Sequence, residues 1–530
     1  MSDDTVDRLG AVRACLAWIN ENGGDITLFM DGSLEFRESQ HGGIGLFATR
    51  AIQPMERLLF VPPSCRLDYN NFICKRPFLD RIAGDVFEQC QALHKGEVEL
   101  KGLPPAFYEH NVRMIVLVFL LLVCFSAEKP KSRESAMDSS GLFNAPETRE
   151  LKSAVNTYRS YMATLPKSLE GSVFSWTTCE LDHLNETPLL LSLLKLRQDV
   201  DDIWTKIVQP LLEDTSVAAT VLRNLLPCSA DACVRMFHAA VALTTSRHHG
   251  SQESLVMLPV MDLINGVADG SAECNSTLVL NGLFATCATQ EGTEIISECG
   301  ELENVKFICK CGFCPSVNVH NSIQVWIPEK HMLNKGDERW VVLQAVNISE
   351  SVVRSGAGLN YPFTLPAELV HKHRRNCPGV KKPSGLGWLE GCVALVCAKP
   401  CDTSPSDEKK RIHFIIDELL DARLEELACT RNNLGTALRE NPSPNLLVAQ
   451  KHLDNECSLM LQWRRALSMR HKPNDANPRH LALLRDVDHC AACHGILNLR
   501  RCAKCKDVKH CSVPCQKEDW KLGHKTACCN

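Results

Sequence analysis

The chain has 530 residues, 45% hydrophobic and 23% charged, with a formal net charge of −5. That length accommodates two or three domains with separate cores, and that charge gives no basis for tight nucleic-acid binding by the whole chain. The acidic start MSDDTVDRLG lacks a secretory or transit pattern, and of the 28 cysteines the 20 that scatter without a framework read as reduced thiols in cytosol or nucleus.

In chain order, ITLFM, LEFRES, GIGLFAT and RLLFVP are β-prone runs broken by Asp31-Gly32-Ser33 and Gly42-Gly43, and they predict four strands. Met114–Ala127 reads MIVLVFLLLVCFSA; 14 apolar residues are short for a membrane span and predict a buried helix. Residues 128–150 are polar without periodicity, the pattern of a mobile insertion. From Tyr158 to Arg247 the spacing is helical, with Ser229-Ala230-Asp231 opening a helix that ends near Arg247. In STLVLNGLFATCAT, Asn281-Gly282 between two alternating runs predicts a hairpin. TEIIS, SIQVWI and RWVVLQAV are further strand candidates, and two amphipathic helices follow over roughly Ile412–Thr430 and Leu446–Met469. RHKPNDANPRH has linker composition, and no solenoid-type repeat is visible.

The tail carries the most specific signal. Cys490-x2-Cys493, Cys502-x2-Cys505, Cys511-x3-Cys515 and His524-x3-Cys528 are four close pairs of soft or borderline ligands. Eight such ligands make two closed tetrahedral zinc sites, which are structural. A 41-residue piece buries too little apolar surface to fold alone, so the metal supplies folding energy. The segment has eight Lys/Arg against three Asp/Glu; two zincs and seven thiolates reduce that excess to a weak patch, not a nucleic-acid footprint.

With Gln516 after Cys515 and Trp520 before His524, the tail resembles a MYND zinc finger. The resemblance implies interleaved ligands: Cys490, Cys493, Cys511 and Cys515 on one zinc, and Cys502, Cys505, His524 and Cys528 on the other. It also implies a protein-docking role, with Gln516 and Trp520 contacting a proline-containing peptide.

Four stretches of the body, spread patchily over residues 25–470, together resemble SET-domain protein methyltransferases of the Rubisco lysine methyltransferase branch. HGGIGLFATR contains Gly43, Ile44 and Gly45, the loop that cradles S-adenosylmethionine in that family; small residues there let backbone approach a ligand. YRSYMATLPKSL and FSWTTCELDHL resemble the branch's helical insert. In LTTSRHHG, Arg247 matches an arginine that forks onto the cofactor carboxylate. In LPVMDLINGVADG, Asp262 and Asn265 match, whereas Gly266 stands in place of a histidine. Taken singly, each has an ordinary reading: a turn, a helix-end arginine, an Asx bend.

GTEIISECGELENVKFICKCGF completes the resemblance through Gly292, Glu294, Gly300, Asn304, Gly312 and Phe313. Cys299 holds the position of the catalytic tyrosine, and Cys311 that of a second aromatic. A thiol is a weak donor and a poor acceptor, and loss of one preorganised oxygen costs on the order of a hundredfold in rate. Cys309, Cys311 and Cys314, with Cys274, also have the spacing of a third zinc site; buried unpaired thiols are the alternative.

The expected architecture is α+β: a SET domain over 25–330 with a helical insert at about 150–250, a mainly helical substrate-binding-like lobe over 331–470, a linker at 471–487 and a MYND finger over 488–530. Two functions stand. One is an S-adenosylmethionine-dependent protein-lysine methyltransferase-like protein, its activity weakened or lost at Cys299; the other is an inactive scaffold for protein partners. Either implies two structural zincs, a cofactor pocket, a protein substrate or partner, and no membrane or nucleic acid.

Overall fold

The computed structural model describes residues 3–95, 105–127, 146–166, 170–184, 187–214, 220, 223, 229–249, 255–269, 271–316, 318, 320–325, 363–366, 405–468, 490–492, 499–510, 513–525 and 528. The expected strand at 339–346, the linker at 470–480 and residues 128–145 lie outside these. The chain divides into two compact units: Met1–Trp176 with Leu191–Gly300 and Ile308–Gly312, and Thr177–Leu190 with Glu301–Phe307 and Phe313–Asn530.

In the first unit, β1 (Leu34–Glu38), β2 (Ile44–Ala48) and β10 (Glu294–Ile295) form an antiparallel sheet centred on β2, whose five residues are all buried. A second sheet runs β3 (Arg57–Phe60), β9 (Gly282–Ala285), β8 (Ser276–Val279), β11 (Ser297–Glu298), β7 (Gly266–Val267), with β11 parallel to both its neighbours. A third orders β4 (Leu67–Asp68), β6 (Val256–Met257), β5 (His248–His249). The β8–β9 hairpin exists as expected, but its two-residue turn is Leu280-Asn281, both at positive φ, with Gly282 already paired to Val279.

The apolar run becomes the Pro105–Ala127 helix, which packs against the Pro77–Lys95, Pro146–Thr164 and Ala230–Arg247 helices. Val116 to Leu121 are all at most 3% exposed, as a helix apolar around its circumference requires. Among the described residues no helix is long and apolar enough to cross a membrane. Phe119 meets Trp204 and Phe237 edge-on, at 6.1 and 5.7 Å. Ser229 caps the last of these helices by accepting from the Ala232 amide.

One expected strand is a helix. ITLFM forms the short helix Thr27–Met30, because Asp25 Oδ1 accepts from both the amide (3.1 Å) and hydroxyl (2.7 Å) of Thr27. That local cap overrides the β-prone composition.

The second unit is built on Pro405–Glu440 and Pro444–Ser468, two long helices packed together. The first runs well beyond the expected 412–430. Leu434 and Ala437 extend its buried face, and Arg431 anchors it to Asp454 of its partner at 2.5 Å. Glu180 closes a capping box with Thr177, and its carboxylate also accepts from Ser443 (2.5 Å) and Asn445 (3.2 Å) at the start of the second helix. Six of the principal helices begin at proline, whose absent N–H costs nothing in a first turn.

Candidate cofactor pocket and metal centre

The first candidate site lies where β2, β7, β10 and β11 meet the end of the Ala230–Arg247 helix. Gly42 and Gly43 turn at φ +100° and +64°, a region other residues avoid, and deliver Ile44 and Gly45 into β2. A Cβ at Gly45 would run into the Glu294 carboxylate. Glu294 is 8% exposed and is held by Ser39 Oγ (2.8 and 2.9 Å) and by Asn265 Nδ2 (2.6 Å). The Asn265 amide therefore braces Glu294, which the sequence reading placed only as a pattern residue.

Arg247 ends its helix and donates from Nη1 to the Asp262 carbonyl (2.8 Å); its buried Nε has no acceptor among the described residues. Asp262 has a fully buried side chain, with Nη1 of Arg247 3.9 Å from Oδ2 and the Tyr161 hydroxyl donating to Oδ2 at 2.5 Å. Asp262 Oδ1 is buried and has no hydrogen-bond partner among the described residues. Burial raises the Asp262 pKa above the usual carboxylate range, opposed by Arg247, and burial beside Asp262 raises Tyr161. Asp262 thus holds Arg247 from behind. Two residues earlier, Val260 sits at φ 71°, ψ −39°, a conformation that costs a β-branched residue about 1–3 kcal/mol. Neither Tyr161 nor Val260 carries a sequence signal for this role.

The two departures from the family pattern are in contact. Gly266 pairs with Ser297, and the Cys299 amide donates to Val267 O at 2.8 Å. A Cβ at position 266 would overlap the Cys299 sulfur. The thiol fills the space that a histidine at 266 would enter, so glycine here and cysteine there form one local adaptation. Burial pushes the Cys299 thiol up to about 11, so it stays protonated at neutral pH. Cys311 lies in the same neighbourhood and is pushed by burial up to about 12.

Cys309 is likewise pushed up to about 12. Within the first unit, Cys274, Cys309 and Cys311 do not bring three donor atoms within 4.8 Å of one another, which leaves them as buried or half-buried thiols. In the second unit, Phe313 stacks obliquely on Phe307 at 5.3 Å, and Cys314 lies 3.5 Å from Asn455 Nδ2.

The second candidate site is in the tail. Cys502, Cys505, His524 and Cys528 bring their donor atoms together within 4.8 Å. Cys502 and Cys528 sulfurs are 3.7 Å apart, and His524 Nε2 is 3.4 Å from Cys502 and 3.7 Å from Cys505. Zinc bonds of about 2.3 Å to sulfur and 2.0 Å to nitrogen, set tetrahedrally, put S···S near 3.8 Å and N···S near 3.5 Å. The donor set therefore fits zinc. Backbone amides of Cys505 and Lys504 lower the Cys502 pKa, whereas burial and the neighbouring Cys502 and Cys505 thiols raise that of Cys528.

The connection between the strands β14 (Arg500–Arg501) and β15 (Lys509–His510) carries Cys502 and Cys505, and the Val513–Asp519 helix leads into the turn Trp520–His524 that ends on His524. Cys490 and Cys515 are buried together with Ala492 and Leu499. Their expected co-ligands Cys493 and Cys511 lie outside the described residues. Gln516 and Trp520 are half-buried, with the Trp520 ring 5.7 Å from that of His524.

Comparison with known proteins agrees with both halves. Residues 489–528 match the MYND finger family model. The chain is 39% identical over 54 residues to ubiquitin carboxyl-terminal hydrolase 19 of Arabidopsis thaliana, covering 10% of this chain and 8% of that protein. It is 49% identical over 43 residues to ubiquitin C-terminal hydrolase 15 of Oryza sativa subsp. japonica, covering 8% and 4%. The chain thus spans less than a tenth of the length of the curated relatives it matches. Among solved structures, Rubisco LSMT bound to sinefungin and monomethyllysine aligns with a TM-score of 0.50 at 15% identity, over 89% of this chain and 99% of that one. The body has the fold of a SET domain, and the tail is a MYND finger.

Proposed function

We propose that this SET-fold chain with its C-terminal MYND finger is a protein-lysine methyltransferase-like protein that holds S-adenosylmethionine but transfers its methyl group weakly or not at all. Its finger would dock a protein partner. The observation that carries this reading is the Gly266–Cys299 contact, which replaces an oxygen donor with a protonated sulfur and closes the space a histidine would use.

The described side chains are compatible with the cofactor. Gly43 is exposed at the turn, Gly45 packs directly on Glu294, Asn265 braces that carboxylate, and among the described residues the buried Arg247 Nε meets no acceptor. Asp262 orients Arg247, and Gly266 completes the first unit's share of the expected set; Phe313, expected in the same set, belongs to the second unit. S-adenosylmethionine, when bound, supplies a sulfonium methyl. A tyrosine phenol could orient an incoming amine and support the charge shift; the thiol of Cys299 does so poorly. Tyr161 cannot substitute, because its hydroxyl is committed to Asp262.

The finger would carry two structural zincs, with Gln516 and Trp520 taking a proline-containing peptide. Domain limits of 25–330, 331–470, 471–487 and 488–530, and a reducing cytosolic or nuclear location, belong to the same proposal. A second reading, a catalytically inactive scaffold that binds protein partners, is favoured by the same sulfur at position 299.

Calorimetry separates these. Micromolar to sub-millimolar binding of S-adenosylmethionine, reduced at least tenfold by Arg247→Ala, is expected. No binding at millimolar cofactor would refute the pocket. With labelled cofactor and cell extract, transfer by the wild type would establish the enzyme, whereas transfer only by Cys299→Tyr would identify a retired site.

A further inference from the structure

The donor cluster of the finger is backed by a carboxylate that the ligand spacing does not mention. Asp519, at the end of the Val513–Asp519 helix, sets its Oδ2 2.8 Å from His510 Nε2 and 3.5 Å from His524 Nδ1. The two imidazoles stand edge to face with centroids 5.6 Å apart, and their side chains are 4% and 5% exposed. His510 reaches this place because β15 pairs it with Arg500, and the adjoining Cys502 amide donates to Val508 O at 2.7 Å. One oxygen therefore faces one nitrogen of each ring.

That arrangement decides which histidine nitrogen is available to a metal. A neutral imidazole carries one N–H, and only the other nitrogen has a lone pair to give. His524 turns Nε2 toward the Cys502 and Cys505 sulfurs, so its proton belongs on Nδ1, the nitrogen that faces Asp519. Without a partner there, the ring could flip or change tautomer. His510 has no place in the ligand spacing, yet its Nε2 makes the shorter contact to the same oxygen and keeps the carboxylate from swinging into solvent.

We infer that Asp519 is a positioning residue for the Cys502, Cys505, His524 and Cys528 centre, and that His510 holds Asp519 in place. The carboxylate selects the His524 tautomer and fixes its ring orientation, which lowers the rate of metal loss from this centre alone. The inference rests on the reading that the cluster takes zinc.

The test uses the full-length, zinc-loaded chain and follows zinc transfer to a chromophoric chelator. Wild type should release two zincs in resolvable phases; release of fewer than two would refute the zinc reading itself. Asp519→Ala should accelerate one phase by about 10–100-fold and leave the other unchanged, the usual effect of removing an outer-shell partner. In the cobalt(II)-loaded chain, the same variant should shift the visible bands of the three-sulfur, one-nitrogen centre and spare those of the four-sulfur centre. His510→Phe keeps a ring beside His524 but removes the N–H, and should accelerate the same phase by a smaller factor. Equal acceleration of both phases would mean general loosening and would overturn the inference, as would unchanged release. Should Asp519→Ala fail to load metal, His510→Phe decides: faster loss from the one centre supports the positioning role, and wild-type release from it overturns that role.

Discussion

A Cβ added at Gly266 is the most informative small perturbation of the cofactor site. In the native chain Gly266→Ala drives that carbon into the Cys299 sulfur, while the next neighbours, Cys299 Cβ and Ser297 O, lie at an ordinary 3.7 Å. The clash involves a single atom. Overpacking of this kind costs about 1–3 kcal/mol. Once Cys299→Ala removes the sulfur, the same substitution meets only normal contacts. Gly266 does not lie at positive φ, so alanine there should then be neutral or stabilising by about 0.4–1 kcal/mol through the unfolded chain. A double-mutant cycle read by chemical denaturation of the body should therefore show a coupling of about 1–3 kcal/mol. Equal costs for Gly266→Ala with and without the sulfur would refute the claim that the two departures from the family pattern are one adaptation. The same geometry predicts that Gly266→His alone is worse tolerated than Gly266→His with Cys299→Ala.

Tyr161→Phe should destabilise the first unit by about 1–3 kcal/mol, because it strips the buried Asp262 Oδ2 of its donor; an unchanged denaturation midpoint would count against that hydrogen bond. Cys299 should alkylate slowly at pH 7–8, and its rate should climb as pH approaches about 11, where the thiolate forms. Peptide mapping after iodoacetamide checks this, and fast labelling at neutral pH would refute the buried, protonated thiol. The sign for stability follows: an ordinary unfolded thiol ionises below Cys299, so its contribution is intact at low pH and declines as pH rises from about 9 to about 11. Metal analysis should find two zincs per chain, both lost on deleting 485–530. A third zinc that survives deletion would return Cys309, Cys311 and Cys314 to the metal account.

Much was legible in the sequence because it is local. The buried helix around Met114–Ala127, the Ser229 cap and the β8–β9 hairpin depend on periodicity and short-range hydrogen bonds; the first two formed in place and the hairpin with its turn one residue early. ITLFM failed by the same logic, since its outcome turned on one Asp25 side chain two residues away from Thr27. The long helix Pro405–Glu440 outran its expected limits because Arg431 and Leu434 are supported by the neighbouring helix, which no window along the chain can see.

By itself the sequence pointed to the ligands of the tail, because metal geometry demands particular atoms at short spacings, and four of them, Cys502, Cys505, His524 and Cys528, come together. It also determined the SET-like order of glycine, arginine and asparagine motifs along the body. The tertiary structure alone decided what each site residue touches. It spent Asn265 on Glu294, brought both Tyr161 and Arg247 to Asp262, joined Gly266 to Cys299, and set Asp519 between two histidines. Except for Asp519, whose partners are 9 and 5 residues away, those contacts join residues roughly 15–100 apart in the chain. Most are side-chain encounters made only after the helices and small sheets have packed, and periodicity carries no record of them.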